Sequence, residues 1–276
     1  MMILLKRELI KIAGKDAFAL LQNLITNDLN KLANQPLIYA CLLNPKGRFI
    51  ADFFIFQTAP EKFYLDCHQN DSSQILKLLS FYQLKQELTI EKIAANIIFS
   101  QSSKPHNLPS QTLLSAPDHR FKEVYYRHYY QTALAINDQS LSDETAYDLL
   151  AIKNGLADGY RDLTRERSII LEFGLADMAV DFNKGCYLGQ ELIARTQYLG
   201  TIRKAIISLE IATDFKLPKT CSIINHQQIE IGQLTSAIIS GEKNYAQALV
   251  KKDQIKTGQI YVKHDQKSYL AQFFTG

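Results

Sequence analysis

Lys184-Gly185-Cys186-Tyr187-Leu188-Gly189-Gln190-Glu191 is the stretch on which the reading of this chain turns. Two glycines bracket a cysteine. Glycine permits positive φ and the close approach of a neighbouring backbone. Lys184 lies two positions before the thiol, and Gly189 to Gln197 reads as a helix. A nearby cation and a helix N-terminus each favour a thiolate. Spacing alone leaves two readings open: an activated thiol, or a small buried apolar residue in a glycine turn.

The regions on either side of this stretch differ in texture. From Arg203 onward the sequence is a series of short strands separated by polar turns, which predicts a small antiparallel barrel. Upstream, strand and helix signals mix. Leu4 to Ile12 reads as one strand, and a helix follows Gly14 with Phe18, Leu21, Leu24 and Ile25 at helical spacing. Leu37 to Leu43 and Arg48 to Gln57 form a hairpin across Asn44-Pro45-Lys46-Gly47, a sequence suited to a type I turn. Phe63 to Cys67 is a further strand. Asp71 or Ser72 is placed to cap a helix carrying Ile75, Leu78 and Leu79, and Glu87 to Phe99 alternates as a strand. Gln101 to Asp118 has the composition of a long surface connection, and Ser142 opens a helix that ends at Asn154-Gly155. The fold class is therefore α+β, with a body over residues 1–200 and a C-terminal β-barrel domain over residues 201–276.

Composition narrows the function classes. At 46 % hydrophobic and 21 % charged, the 276-residue chain has the makeup of a folded globular protein. A net charge of +3 and a pI near 8.5 fall short of the strongly basic balance of a nucleic-acid-binding domain, so no direct nucleic-acid partner is expected. Cys41, Cys67, Cys186 and Cys221 form no C-x-x-C pair and no disulfide framework. The six histidines, His68, His106, His119, His128, His226 and His264, have no metal-ligand spacing and read as structural. No apolar run approaches a membrane span, and the start lacks a signal-type apolar region. The expectation is a cytoplasmic protein with no membrane partner.

Two acids stand out. In a strand, Ile50, Asp52, Phe54 and Phe56 share one face, which sets a carboxylate among large apolar side chains. Such a group must be hydrogen-bonded, paired or functional, unless that face is a surface with exposed aromatics. Glu172 interrupts the apolar run Ile169 to Leu175. It is either a ligand contact or the partner of Arg161, Arg165 or Arg167. The cluster Arg161, Arg165, Glu166, Arg167 itself reads as a solvated face.

The string from Lys184 to Glu191, followed by Ala194-Arg195 and Tyr198-Leu199-Gly200, resembles the signature of YgfZ-type proteins. These share a superfamily with the folate-dependent aminomethyltransferase of glycine cleavage. Leu24 to Leu29 (LITNDL), Leu43 to Arg48 (LNPKGR) and Gly232 to Ser236 (GQLTS) are family-like as well. The resemblance implies a body binding tetrahydrofolate or a derivative. Glu172 would receive the pterin edge and Asp52 the reacting nitrogens, with Lys184, Tyr187, Gln190 and Arg195 as further cofactor contacts. Cys186 and Asp52 are the catalytic candidates, and no metal ligands are assigned. An acid at Asp52 places the chain beside the branch that includes the mitochondrial iron–sulfur assembly factor. The implied role is support of iron–sulfur enzymes, including tRNA-modifying ones, with iron–sulfur assembly proteins as partners. The alternatives are a one-carbon transferase, or a non-catalytic scaffold using Cys186.

Overall fold

The computed structural model describes residues 1–105, 112–131, 142–255 and 259–274. Chain order is β1 (Met2–Leu4), β2 (Arg7–Ala13), α1 (Ala17–Leu24), β3 (Ile38–Leu43), β4 (Phe49–Ala59), β5 (Lys62–His68) and α2 (Gln69–Gln83). Next come β6 (Thr89–Ile93), β7 (Asn96–Ser100), β8 (Leu114–Pro117), β9 (Tyr126–Tyr130), α3 (Glu144–Lys153), α4 (Gly159–Asp162), α5 (Ala176–Ala179) and α6 (Gln190–Tyr198). The chain closes with β10 (Lys204–Ala212), β11 (Ser222–Asn225), β12 (Glu230–Ser240), β13 (Lys243–Lys251), β14 (Ile260–His264) and β15 (Lys267–Phe273).

The body holds a five-stranded sheet, β3-β4-β5-β2-β6, and a four-stranded sheet, β1-β7-β9-β8. The five-stranded sheet is buried on both faces. Phe54 and Phe56 of β4 enter a core shared with Phe99, Tyr129 and Tyr147, while Phe53 and Ile55 enter a second core with α1 and α2. Burial on both sides is why β3 and β4 read as nearly continuous apolar runs. The expected strand Leu4 to Ile12 breaks at residues 5 and 6 into β1 and β2, and Glu87 to Phe99 breaks into β6 and β7. In both cases the chain passes from one sheet to the other, which a single straight strand cannot do. The helix expected to start at Asp71 or Ser72 starts earlier, capped by Nδ1 of His68, which accepts from the Asn70 N–H at 3.2 Å.

The expected C-terminal barrel is present: six antiparallel strands close in the order β10-β13-β12-β11-β14-β15. Its inside is a third core built on Leu209, Ile211, Ile223, Val250 and Val262. Its outer face meets the body at Ile206 and Leu249, which pack against the first core. Ser208 donates to the carbonyl of Ile152 at 2.9 Å. The hydroxyls of Thr235 and Ser236, from the GQLTS stretch, both donate to Oδ1 of Asp162. No helix among the described residues is long and apolar enough to cross a membrane.

Candidate functional site

Three sequence stretches far apart in the chain, LITNDL, LNPKGR and KGCYLGQE, meet in space around Cys186. The N–H of Leu188 donates to the carbonyl of Asn23 at 3.0 Å, and the N–H of Asp181 donates to that of Thr26 at 3.0 Å. Asp181 ties off the start of the loop. Its Oδ1 accepts from the N–H groups of Asn183 and Lys184, and Oδ2 pairs with Lys31 at 2.8 Å. Gly189 has φ +81° and packs against the Asn44–Gly47 turn. A Cβ there would stand 2.6 Å from the Asn44 carbonyl oxygen and 2.9 Å from the Gly47 Cα. Only glycine combines that conformation with that approach.

Within this frame Cys186 is exposed, whereas Cys41, Cys67 and Cys221 are buried. The buried-packing reading of Cys186 is thereby excluded. At the neighbouring Gly185 a side chain would meet nothing within 4 Å, so the backbone beside the thiol faces open space. Lys184 does not act as its counter-charge. The ammonium turns inward and donates to the carbonyls of Gln22, Ile25 and Asn27 at 2.7, 2.8 and 2.9 Å. Those acceptors lie at and just beyond the C-terminal end of α1, where carbonyls lack helical partners. Burial lowers the Lys184 pKa to about 8, with Asp28 and Asp181 opposing the shift. All three ammonium protons are engaged, so Lys184 is not free for a cofactor tail either. Tyr187 is buried in the first core beside the Lys184 ammonium, and burial raises its phenol pKa. Gln190 opens α6, and Arg195 is exposed on its last turn.

Asp52 lies elsewhere in the body and is almost fully buried, at 1 % exposure. Oδ2 accepts from the Tyr39 hydroxyl and from the Gly159 N–H at 3.0 Å, while Oδ1 has no hydrogen bond. Burial, with Asp158 adding to it, raises its pKa to about 6, against Arg7 and these hydrogen bonds. The expected apolar face holds for Phe54 and Phe56 but not for Ile50. A bulge opposite Leu43 turns Ile50 into the second core. No hydrogen bond or ion pair among the described residues joins Asp52 to Cys186, so the two catalytic candidates form no dyad.

Beside Asp52 runs a buried polar chain that sequence reasoning did not anticipate. Arg7 and Arg127 both pair with Asp66, Arg127 reaches on to Asp118 at 2.9 Å, and Asp118 holds Arg120 through two bonds of 3.0 Å. The two arginines hold the Asp118 carboxyl well below the usual range despite its burial. Arg120 ends the chain, its guanidinium carbon 4.7 Å from the Tyr39 ring centroid and 4.5 Å from that of Phe54. It forms one wall of a cavity of about 460 Å³, with Tyr39, Phe54, Met178, Asn27 and Gln35 among the others. An arginine and an aspartate inside strands, at Arg127 and Asp66, were the signal in the sequence.

Glu172 sits on a short 3-10 helix, Ile170–Phe173, half-buried, and its carboxylate pairs with no arginine. Two of its three expected partners are engaged elsewhere. Arg161 binds Asp148, Asp162 and the Leu156 carbonyl, and Arg165 binds Asp71. Arg161 is 7 % exposed, so the reading of this cluster as a solvated face fails for it. A guanidinium with three acceptors in reach is better placed inside. Of the histidines, His68 is buried and stacks on Tyr160, and burial lowers its pKa to about 4; His106 lies outside the described residues.

Tetrahydrofolate, which the fold family implies, can be tested against this geometry. The cavity beside Tyr39 has the volume of a small-molecule site, roughly 300–1,000 Å³, and an aromatic and amide lining. Glu172 has no hydrogen-bond or ion-pair partner for its carboxylate among the described residues, but it does not line this cavity. Asp52 does not fit as a direct contact. One oxygen is taken by Tyr39 and Gly159, and the other lies so close to the Gly159 Cα that even a methyl group there would overlap it.

Comparison with known proteins gives a consistent placement. Residues 7–99 match the GCVT N-terminal domain. The chain is similar to the mitochondrial iron–sulfur cluster assembly factor IBA57 homolog of Mycosarcoma maydis, 30 % identical over 221 residues that cover 74 % of this chain and 55 % of that protein. The corresponding protein of Aspergillus oryzae is 28 % identical over 256 residues, 76 % of this chain and 56 % of that one. The chain thus spans little more than half the length of these relatives. The crystal structure of glycine cleavage system aminomethyltransferase T from Bartonella henselae superposes with a TM-score of 0.79 at 14 % identity, over 100 % of this chain and 84 % of that one. In fold the chain is an aminomethyltransferase-like protein, with a stretch matching the GCVT N-terminal domain and sequence similarity to iron–sulfur cluster assembly factors.

Proposed function

We propose that the chain serves iron–sulfur cluster assembly by presenting the Cys186 thiol as one ligand for a cluster held jointly with a partner. The observation that carries this reading is the convergence of three remote stretches on a loop at which that thiol is exposed. A cluster normally takes four ligands. Among the described residues no group of three or more His, Cys, Asp or Glu is arranged to hold a metal ion. The remaining ligands would come from an assembly protein, an iron–sulfur client enzyme such as a tRNA-modifying one, or a small thiol. The test is anaerobic reconstitution with iron, sulfide and glutathione, followed by visible absorbance. Absorbance that is lost in Cys186→Ser supports the reading, and absorbance unchanged by that substitution refutes it.

A second role rests on a separate observation, the cavity walled by Tyr39, Phe54 and Arg120. It favours a reduced folate as ligand, in keeping with the YgfZ-type signature, although Glu172 is not among the residues that line it. Titration calorimetry with tetrahydrofolate tests it. Binding in this cavity should leave affinity unchanged in Glu172→Gln, whereas a roughly ten- to hundredfold loss, the equivalent of about 1.5–3 kcal/mol for a charge-assisted bond, would place the pterin at Glu172 instead. No heat with the unmodified chain removes this role and leaves the thiol reading standing.

A further inference from the structure

Where the outer face of the barrel emerges from the body there is a trough of about 510 Å³ that neither role uses. Its floor holds an unfavourable arrangement. Ile206 and Leu249 are direct cross-strand partners on β10 and β13, and both pack into the body. Two residues along on the same face the partners are Lys204 and Lys251. Like charges directly opposite each other destabilise a sheet. Neither lysine has an ion-pair partner among the described residues, although carboxylates neutralise lysines elsewhere, as Glu210 does for Lys243 on the same two strands.

The rest of the trough has the same sign. Lys219 lines the opposite wall. It donates one bond of 3.0 Å to the Arg161 carbonyl and pairs with no acid among the described residues. Apart from the Arg161–Asp162 ion pair, three lysines line the trough against one carboxylate, Glu230. Asp162 is fully committed to Arg161, Thr235 and Ser236, so it does not offset the lysines. Glu230 accepts from Ser222 at 2.8 Å. Tyr160 contributes an aromatic wall, its ring backed by His68 at a centroid distance of 3.5 Å and 49 % exposed.

We propose that this trough binds a multiply charged oxyanion, a phosphorylated or polycarboxylate small molecule, with Lys204, Lys251 and Lys219 as its cationic contacts. Such a ligand converts the Lys204–Lys251 repulsion into shared attraction, because each ammonium then faces negative charge. The trough is separate from the Cys186 loop and from the Tyr39 cavity, so this proposal stands or falls independently of both.

The experiment is titration calorimetry of the full chain with inorganic tripolyphosphate in one arm and citrate in the other, at physiological salt. Saturable one-to-one binding in either arm is expected, and the stronger arm identifies the ligand chemistry. Lys251→Gln and Lys219→Gln should each weaken it at least tenfold, while Lys15→Gln, whose lysine pairs with Glu87, leaves it unchanged. Lys251→Gln should also raise the melting temperature of the ligand-free protein, which shows that the variant folds and that the pair repels. Absence of saturable binding in both arms overturns the proposal. Equal losses in Lys15→Gln and Lys251→Gln overturn it as well.

Discussion

Oδ1 of Asp52 rests against the Cα of Gly159 without a hydrogen bond, while Oδ2 of the same carboxylate takes the Gly159 N–H. The first residue of α4 is thus both a donor to the buried acid and the surface that closes over it. Gly159→Ala should therefore be strongly disruptive, because its methyl group would overlap Oδ1 and the Phe49 ring. Forced overpacking costs about 1–3 kcal/mol. Chemical denaturation should place the variant in or above that range, and a change below 0.5 kcal/mol would show that the acid can move aside.

Asp52 also predicts a pH dependence. Burial raises its folded pKa to about 6, above the unfolded value near ~3.9. A raised carboxyl pKa means that the folded state holds the proton more tightly, so this group's contribution is present below pH 4 and is lost as pH rises to about 6. Two units correspond to at most about 3 kcal/mol. Asp52→Asn should be more stable than the parent at pH 7.5, with the gain shrinking toward pH 4.5. A gain independent of pH would assign the titration to another group, such as Asp158.

The exposure of Cys186 predicts selective labelling. Native protein treated with iodoacetamide should carry label at Cys186 by mass spectrometry, with Cys41 and Cys67 modified only after unfolding. Cys186→Ser should alter stability by less than about 0.5 kcal/mol, as surface substitutions usually do. Equal labelling of all three thiols in native protein would contradict the buried placement of the other two.

Lys184 should behave as a structural residue. Lys184→Met removes the donor to three carbonyls and leaves them without that partner, at a cost of about 1–3 kcal/mol. Hydrogen exchange should quicken at the amides of Asp181 and Leu188, which hold the loop to the last turn of α1 and the segment after it. If stability and exchange stay as they were while only the reactivity of Cys186 falls, the lysine acts on the thiol instead.

The sequence was most legible where a local pattern had one structural solution. The Asn44–Gly47 turn, the alternating strands after Arg203 and the terminator Asn154-Gly155 each follow from short-range chemistry, and the hairpin, barrel and α3 stand close to where they were expected. What stayed hidden depends on where the chain goes next. Nothing local marks residues 5 and 6 as the passage from one sheet to the other, or reveals that Ile50 occupies a bulge. The role of Lys184 was misread because proximity in sequence to Cys186 suggested a partner, whereas three carbonyls more than 150 residues upstream compete better for the ammonium. Arg161 was read as a surface cation because its acceptors, Asp148 and the Leu156 carbonyl, come from the preceding helix and its connection.

The Cys186 loop hangs from main-chain atoms of the segment it docks on: the carbonyls of Gln22, Asn23, Ile25, Thr26 and Asn27. Every amino acid offers that same oxygen. Apart from Lys31 and Gly189, the positions that fix the thiol in space are thus readable by the path of the backbone and not by residue type. Over evolutionary time Gln22, Asn23 and Ile25 are free to drift, as far as this docking is concerned, without displacing Cys186. A single residue inserted or deleted between Leu24 and Asn27 would move part of this row of oxygens out of step with the rest and unseat it.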